Sequence, residues 1–328
     1  MKILITGAAG FIGSWVVERL LANGHDIVGL DNFDDYYDPS IKRRNIEAAS
    51  AHPGFTLITG DFRDRELVSS LFTEHAPRAV IHLGARAGVR PSLENAPLYV
   101  DVNLHGTTIL LDASRRHGVE RFVFASSSSV YGARPLEPFS EDDDADSPVS
   151  PYAATKRAGE LICHTYNHLF GLPITCLRFF TVYGPRQRPE MAIHYFTRAI
   201  AAGEPINVFG DGSAVRDFTF IDDCVDGIVA AFERCAGFHT YNLGRGGTVR
   251  LGDLIGMIES SVGEPAQINY LPAEPGDVPT TFANVSRART ELGYEPSVSI
   301  QEGVRRFVEW FRSQQNNDVA PQPDRAAG

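Results

Sequence analysis

The first thirteen residues constrain this chain more than any other stretch. Lys2-Ile3-Leu4-Ile5-Thr6 is a short apolar run rich in β-branched residues, the length and make-up of one buried strand. Gly7-Ala8-Ala9-Gly10-Phe11-Ile12-Gly13 follows without a gap, and residues 14–21 then place Trp15, Val16, Leu20 and Leu21 at helical spacing. A strand that turns through glycines into a helix has a specific use. With no Cβ in the way, the backbone turns tightly and approaches a pyrophosphate, and the unpaired N–H groups at the helix start face it. Taken alone, a glycine triplet is only a strand-to-helix turn; its context makes it specific. A second apolar run, Ile27-Val28-Gly29-Leu30, ends at Asp31, about 20 residues beyond the turn, where a carboxylate binds an adenosine ribose. The combination predicts dinucleotide binding. An acid at Asp31 repels a 2′-phosphate, so NAD is favoured over NADP.

Further short strands are expected at 55–59, 79–83, 121–125 and 174–179, with long helices at 98–117 and 151–170. Strands alternating with helices imply an α/β fold: a Rossmann-type, doubly wound parallel sheet with ligand at the strands' carboxyl ends. Asp61 and Phe62 end the third strand, where an acid and an aromatic flank an adenine ring. The small residues of Gly84-Ala85-Arg86-Ala87-Gly88 let backbone approach a cofactor. Residues 138–148 are acidic and aperiodic, which reads as a solvated loop. After Gly184 prolines and glycines become denser, the elements shorten, and Arg186, Arg188 and Arg216 fall in loops, as in a smaller C-terminal substrate-binding lobe. We expect 218–232 and 241–243 to return to the main sheet and 301–312 to form a last helix. The expected domains are therefore 1–182 plus 217–247 for the dinucleotide, 183–216 plus 248–312 for the substrate, and a disordered tail at 313–328.

Net charge is −11 over 328 residues and no basic cluster stands out, so nucleic acid is not an expected partner. An acidic protein that holds an anionic ligand must supply arginines locally. Cys163, Cys176, Cys224 and Cys235 have neither disulfide nor metal spacing, which points to a reducing cytoplasm and no metal site. No apolar run reaches membrane-spanning length, and the amino terminus lacks a signal-peptide pattern.

The chemistry lies where the fifth strand runs into Ser126-Ser127-Ser128-Ser129-Val130-Tyr131-Gly132 and where the following helix carries Tyr152 and Lys156. Those two are four apart and share a helix face. An ammonium near a phenol favours the phenolate. Free tyrosine titrates near ~10, so a phenolate at neutral pH needs about 4 kcal/mol of selective stabilisation. Such a phenolate takes a proton from an alcohol or sugar hydroxyl while the carbon passes hydride to NAD, and a strand-end serine would hydrogen-bond the same oxygen.

These motifs together resemble the extended short-chain dehydrogenase/reductase family: Thr6–Gly13, Ser126–Gly132 and Tyr152-Ala153-Ala154-Thr155-Lys156. Leu177-Arg178-Phe179-Phe180-Thr181-Val182-Tyr183-Gly184-Pro185 and Arg216-Asp217-Phe218 extend the likeness into its nucleotide-sugar branch. The resemblance implies Ser127 bonded to the reacting hydroxyl, Tyr152 as base and Lys156 as its partner. It implies cofactor contacts from Gly7, Gly10, Phe11, Ile12, Gly13, Asp31, Asn32, Asp61, Phe62, Leu83 and Ala85. Thr181 and Met191 become substrate contacts, Arg216 a diphosphate clamp and Asp277 a ribose contact. It also implies a homodimer through helices 98–117 and 151–170. Relatives that dehydrate or decarboxylate carry an acid just before the Val-Tyr-Gly turn; here that position is Ser129, which favours 4-epimerisation through a 4-keto intermediate with retained NAD. Arg186-Gln187-Arg188-Pro189-Glu190-Met191-Ala192 and Asn32-Phe33-Asp34-Asp35-Tyr36-Tyr37 resemble UDP-glucuronate 4-epimerases more than glucose/galactose enzymes. A glucuronate carboxylate suits bidentate arginine; Arg188 is expected to hold it, with Ser128 or Ser129 assisting. UDP-glucose 4-epimerase, UDP-glucuronate decarboxylase and a non-catalytic dinucleotide-binding scaffold remain the alternatives, and the intact Ser127, Tyr152 and Lys156 speak against the last.

Overall fold

Alternation along the first strand divides the core. In the computed structural model, which describes residues 1–134, 138–273 and 278–319, β1 (Lys2–Thr6) sends Ile3 and Ile5 to one side and Leu4 to the other, as a pleated strand must. Both sides are covered. The chain continues through α1 (Phe11–Ala22), β2 (Asp26–Asp31), α2 (Pro39–Ser50), β3 (Phe55–Thr59), α3 (Arg65–His75) and β4 (Ala79–His82). Two short helices, α4 (Val89–Glu94) and α5 (Ala96–Val100), lead to α6 (Thr107–Arg116), β5 (Arg121–Ser127), α7 (Pro151–Phe170) and β6 (Ile174–Phe179). One apolar cluster packs the sheet against α1 and α2 through Val16, Val17, Leu20 and Ile46. The other packs it against α3, α6 and α7 through Leu71, Phe72, Leu110, Leu111 and Cys163.

Beyond β6 come β7 (Thr181–Tyr183), α8 (Ala192–Ala201), β8 (Ile206–Phe209), β9 (Val215–Arg216), β10 (Phe218–Phe220), α9 (Ile221–Glu233) and β11 (Phe238–Leu243). The chain then forms β12 (Val249–Arg250), α10 (Leu251–Val262), β13 (Ile268–Leu271), α11 (Ser286–Leu292) and α12 (Ile300–Val319). The main sheet has seven strands in the order β11-β6-β5-β4-β1-β2-β3, all paired in parallel. The strand order reverses between β1 and β4, the switch point where such sheets open a crevice at their carboxyl ends. Among the described residues no helix is long and apolar enough to cross a membrane.

Several expectations need correction. The helix expected at 98–117 is broken by a π-helical turn, Asp101–Gly106, between α5 and α6. The wider turn directs Asn103 inward, where it bonds the Arg86 backbone N–H at 2.8 Å and carbonyl at 2.9 Å, and Thr155 Oγ1 at 3.0 Å. The fifth strand runs two residues further than expected, so Ser126 and Ser127 lie within it. β10 pairs with β7 rather than the main sheet; only α9 and β11 return to it. α12 continues through Val319, so 313–319 are helical rather than tail. The acidic loop is only partly solvated. Asp142 and Asp146 are exposed, but Phe139 and Ala145 are buried and Glu141 Oε1 accepts from the Asn242 N–H at 2.8 Å.

One buried ion pair joins the elements that carry the candidate chemistry. Glu160 on α7 accepts from Arg178 Nε and Nη2 on β6, both at 2.8 Å, and from Ser126 Oγ on β5 at 2.6 Å. Arg178 also lies over the Tyr131 ring, 4.7 Å from its centroid. Removing Glu160 leaves Arg178 buried without its counter-charge. Glu160→Ala is therefore expected to lower the unfolding free energy by about 3–5 kcal/mol in chemical denaturation. Glu160→Met with Arg178→Met should recover most of that loss; a double variant as unstable as the single one would show that the charges themselves hold the fold.

Candidate active site

The carboxyl ends of β1, β2, β4, β5 and β6 border a cavity of about 580 Å³. Its floor is the glycine turn. Gly7 has φ +67°, and a Cβ at Gly13 would stand 2.0 Å from the Gly7 carbonyl oxygen. Only glycine permits that approach of α1 to β1, and it bares the helix N-terminus toward the cavity. Phe11 and Ile12 line the same wall.

Asp31 stands at the end of β2. Its oxygens accept the Ala9 N–H at 3.0 Å and the Phe33 N–H at 2.9 Å. Each carboxylate oxygen has a further lone pair for a ribose hydroxyl. Burial raises the Asp31 pKa, against those two bonds and the charge of Lys42. Asn32 Nδ2 donates to Asp61 Oδ2 at 3.0 Å, and Arg63 ties Asp61 to Asp101 at 2.7 and 2.6 Å. The Phe62 ring meets His82 edge-on at 5.1 Å, in the space left by Gly84 and Gly106. His82 bridges Thr6 Oγ1 at 2.6 Å and Thr107 Oγ1 at 2.9 Å. Burial pushes its pKa down to about 3, so a neutral ring pins the start of the β4 turn, with Leu83 and Ala85 on the cavity wall.

Ser127, Tyr152 and Lys156 face the other end of the cavity. Ser150 caps α7, accepting the Ala153 N–H at 3.1 Å, with Pro151 in the first turn; this sets the phase that turns Tyr152 inward. Lys156 Nζ donates to the Ala125 carbonyl at 2.6 Å. Burial lowers the Lys156 pKa to about 8. Burial raises that of Tyr152, while a hydrogen bond from Ser127 and the charge of Arg188 pull it down. Ser127 Oγ lies 3.0 Å from Ser129 Oγ.

Ser128, Ser129, Thr181, Arg188 and Met191 share this cavity. Arg216 does not line it. It lines a smaller one of about 150 Å³ that also touches Ser128, Ser129 and Thr181, and its Nη1 donates to the Val215 and Pro279 carbonyls. Arg186 is turned away onto Glu18 at 2.7 Å and over Trp15. Asp277 lies outside the described residues. Tyr36, Tyr37, Lys42, Arg63 and Arg86 also line the main cavity, with no motif in the sequence that marks them as site residues. Arg86, alone among small residues in its turn, was the available signal. Its guanidinium pairs with Asp34 and lies 4.6 Å from the Tyr36 ring centroid.

The glycine cradle, the helix N-terminus and the Asp31 carboxylate suit an adenine dinucleotide. The model of the NAD dependent epimerase/dehydratase family matches residues 3–244. A probable UDP-glucuronate 4-epimerase of Rhizobium meliloti is 43% identical, with 95% of this chain and 97% of that protein covered. Protein CapI of Staphylococcus aureus is 41% identical, covering 95% and 98%. The crystal structure of UDP-glucuronic acid 4-epimerase from Bacillus cereus, in complex with UDP-glucuronic acid and NAD, superposes with a TM-score of 0.91. It is 39% identical, covering 96% of this chain and all of that one.

A base works only when deprotonated, so a rate that depends on Tyr152 rises with pH through its pKa. Ser127→Ala removes a bond that lowers that pKa. The rising limb of kcat/KM against pH is expected to move alkaline, with at least a roughly 10-fold loss near neutrality. A limb that stays in place would detach Ser127 from the phenol.

Proposed function

The chain belongs to the NAD dependent epimerase/dehydratase family, and we propose that it interconverts UDP-glucuronate and UDP-galacturonate by inverting C4. One observation carries the choice of sugar: Arg188 lines the same cavity as Tyr152, and its Nη2 donates to the Met191 thioether at 3.3 Å. A thioether is a weak acceptor. A sugar carboxylate offers the same guanidinium a charge-assisted bond about twice as strong as a neutral one.

Tyr152, bonded by Ser127, takes the proton of the C4 hydroxyl and later returns it. The chemistry NAD would supply when bound is the removal and return of hydride at C4. Gly7, Gly10, Phe11, Ile12, Gly13, Asp31, Asn32, Asp61, Phe62, Leu83 and Ala85 would hold NAD. Between the two transfers the 4-keto ring turns its other face to the same site. That requires binding energy concentrated on the nucleotide, for which Arg216 and the smaller cavity beside Ser128, Ser129 and Thr181 are suited. The 4-keto uronate is a β-keto acid. Arg188, with Ser128 or Ser129, keeps its carboxylate near the ring plane and so opposes loss of carbon dioxide. Ser129 stands on Ser127 as a hydroxyl, so no carboxylate at that position drives elimination.

In this reading residues 1–182 plus 217–247 serve NAD and 183–216 plus 248–312 the nucleotide sugar, with Asp277 as a ribose contact. Leu161, Leu169 and Phe170 on α7 and Val100 on α5 are large apolar side chains left exposed; they support a homodimer through the α5–α6 segment and α7. The four free cysteines support a reducing, cytoplasmic setting.

Incubated with UDP-glucuronate, the protein is expected to yield UDP-galacturonate, resolved by NMR. Arg188→Ala should cost roughly 10- to 100-fold in kcat/KM while UDP binds as before. A UDP-pentose product would make the protein a decarboxylase, and an unimpaired Arg188→Ala would remove the carboxylate assignment.

A further inference from the structure

Arg188 is not offered to the cavity alone. Its Nε lies 3.1 Å from Glu190 Oε1, two residues along the same turn, and that turn is closed by the Met191 N–H on the Arg188 carbonyl at 3.1 Å. Arg188 is 20% exposed and Glu190 40%. Arg188 and Met191 line the cavity, so the guanidinium is the inward member of the pair. One edge of the guanidinium thus meets a carboxylate of the chain itself, and another meets only the soft sulfur of Met191. On its far side Arg188 lies 5.5 Å from the Tyr36 ring centroid, and Arg86, already paired with Asp34, lies 4.6 Å from the same ring. Both guanidiniums beside the Tyr36 ring are thus paired with an acid of the chain.

The proposed reaction sets two demands on Arg188 that conflict. While the sugar is a β-keto acid its carboxylate must be held. Yet C4 has to show both faces to one site, and the carboxylate, fixed to C5, swings with the ring. A bidentate grip at full strength would stop the ring halfway. We propose that Glu190 sets this balance: by sharing the Arg188 guanidinium it weakens the hold on the sugar carboxylate, so that the carboxylate lets go while the 4-keto ring turns over. An anion already on the guanidinium weakens the field a second anion feels and keeps Arg188 partnered while the sugar is loose. A neutral hexose has no carboxylate for Arg188 to grip, so Glu190 acts on uronates alone.

The inference rests on the UDP-glucuronate reading, and the test separates the two. Binding is measured by calorimetry in NAD-loaded protein on a Tyr152→Phe background, where turnover is blocked. Glu190→Gln is expected to tighten UDP-glucuronate roughly 2- to 5-fold, the range of a partly exposed ion pair, and to leave UDP-glucose unchanged. With Tyr152 restored, Glu190→Gln should lower KM and kcat together, with reduced cofactor accumulating in the steady state as the ring lingers between faces. Glu190→Asp should return both toward the native values. Unchanged binding in Glu190→Gln, with weakened binding in Arg188→Ala, would overturn the role of Glu190 and leave the substrate reading intact. Tighter binding with undiminished kcat would overturn it as well. Unaltered UDP-glucuronate binding in both variants would overturn both.

Discussion

The site depends on a charged amine set among apolar groups with a backbone carbonyl as its acceptor. Lys156 Nζ reaches the Ala125 carbonyl at the end of β5, 2.6 Å away, and so clamps α7 to the strand that carries Ser127. Tyr152 is one helical turn earlier on the same face, and Glu160 is one turn later, bonded to Ser126. Three consecutive residues of β5 are thus met by three successive turns of α7. The position of the phenol is a consequence of that clamp. It has an energetic cost: burial lowers the Lys156 pKa from 10.5 to about 8. Below about 8 the folded protein carries the amine charged, against its environment. Between about 8 and 10.5 the unfolded chain binds more protons, so this contribution to stability rises with pH. The Glu160 carboxylate lies close enough to offset part of that cost, its charge favouring the ammonium.

The electrostatics of the phenol follow from the same placement. Burial dominates and raises the Tyr152 pKa, with the Ser127 bond and the Arg188 charge opposing it. The protein alone thus keeps a neutral phenol in readiness rather than a standing phenolate. A positive charge in the cavity, such as an oxidised nicotinamide would bring when bound, favours the phenolate.

Much of this was legible in the sequence. β1 and β6 have the expected bounds, because buried parallel strands are mostly apolar runs between turns, and the short edge strand β3 has them too. The glycine turn, Asp31 and the strand-end serines converge on one cavity because the sheet's switch point brings them there. What was not legible depends on three-dimensional partners. The π turn at Asp101–Gly106 exists for Asn103 to reach Arg86 and Thr155, contacts across 17 and 52 residues that no local period records. The partner of Lys156 is a carbonyl, and carbonyls leave no trace in residue identity. Tyr36 and Arg86 stand in a loop and a turn whose aperiodic sequences do not tell inward from outward. β10 was assigned to the wrong sheet because a three-residue apolar strand is compatible with either.

The claim on which the account stands is that C4 loses and regains the same hydrogen without sharing it with water. UDP-[4-2H]glucuronate incubated with the protein in ordinary water tests it directly, with the product analysed by NMR. The expected product is UDP-galacturonate with deuterium retained at C4. Deuterium washed out to solvent, or retained in a product not inverted at C4, would contradict it.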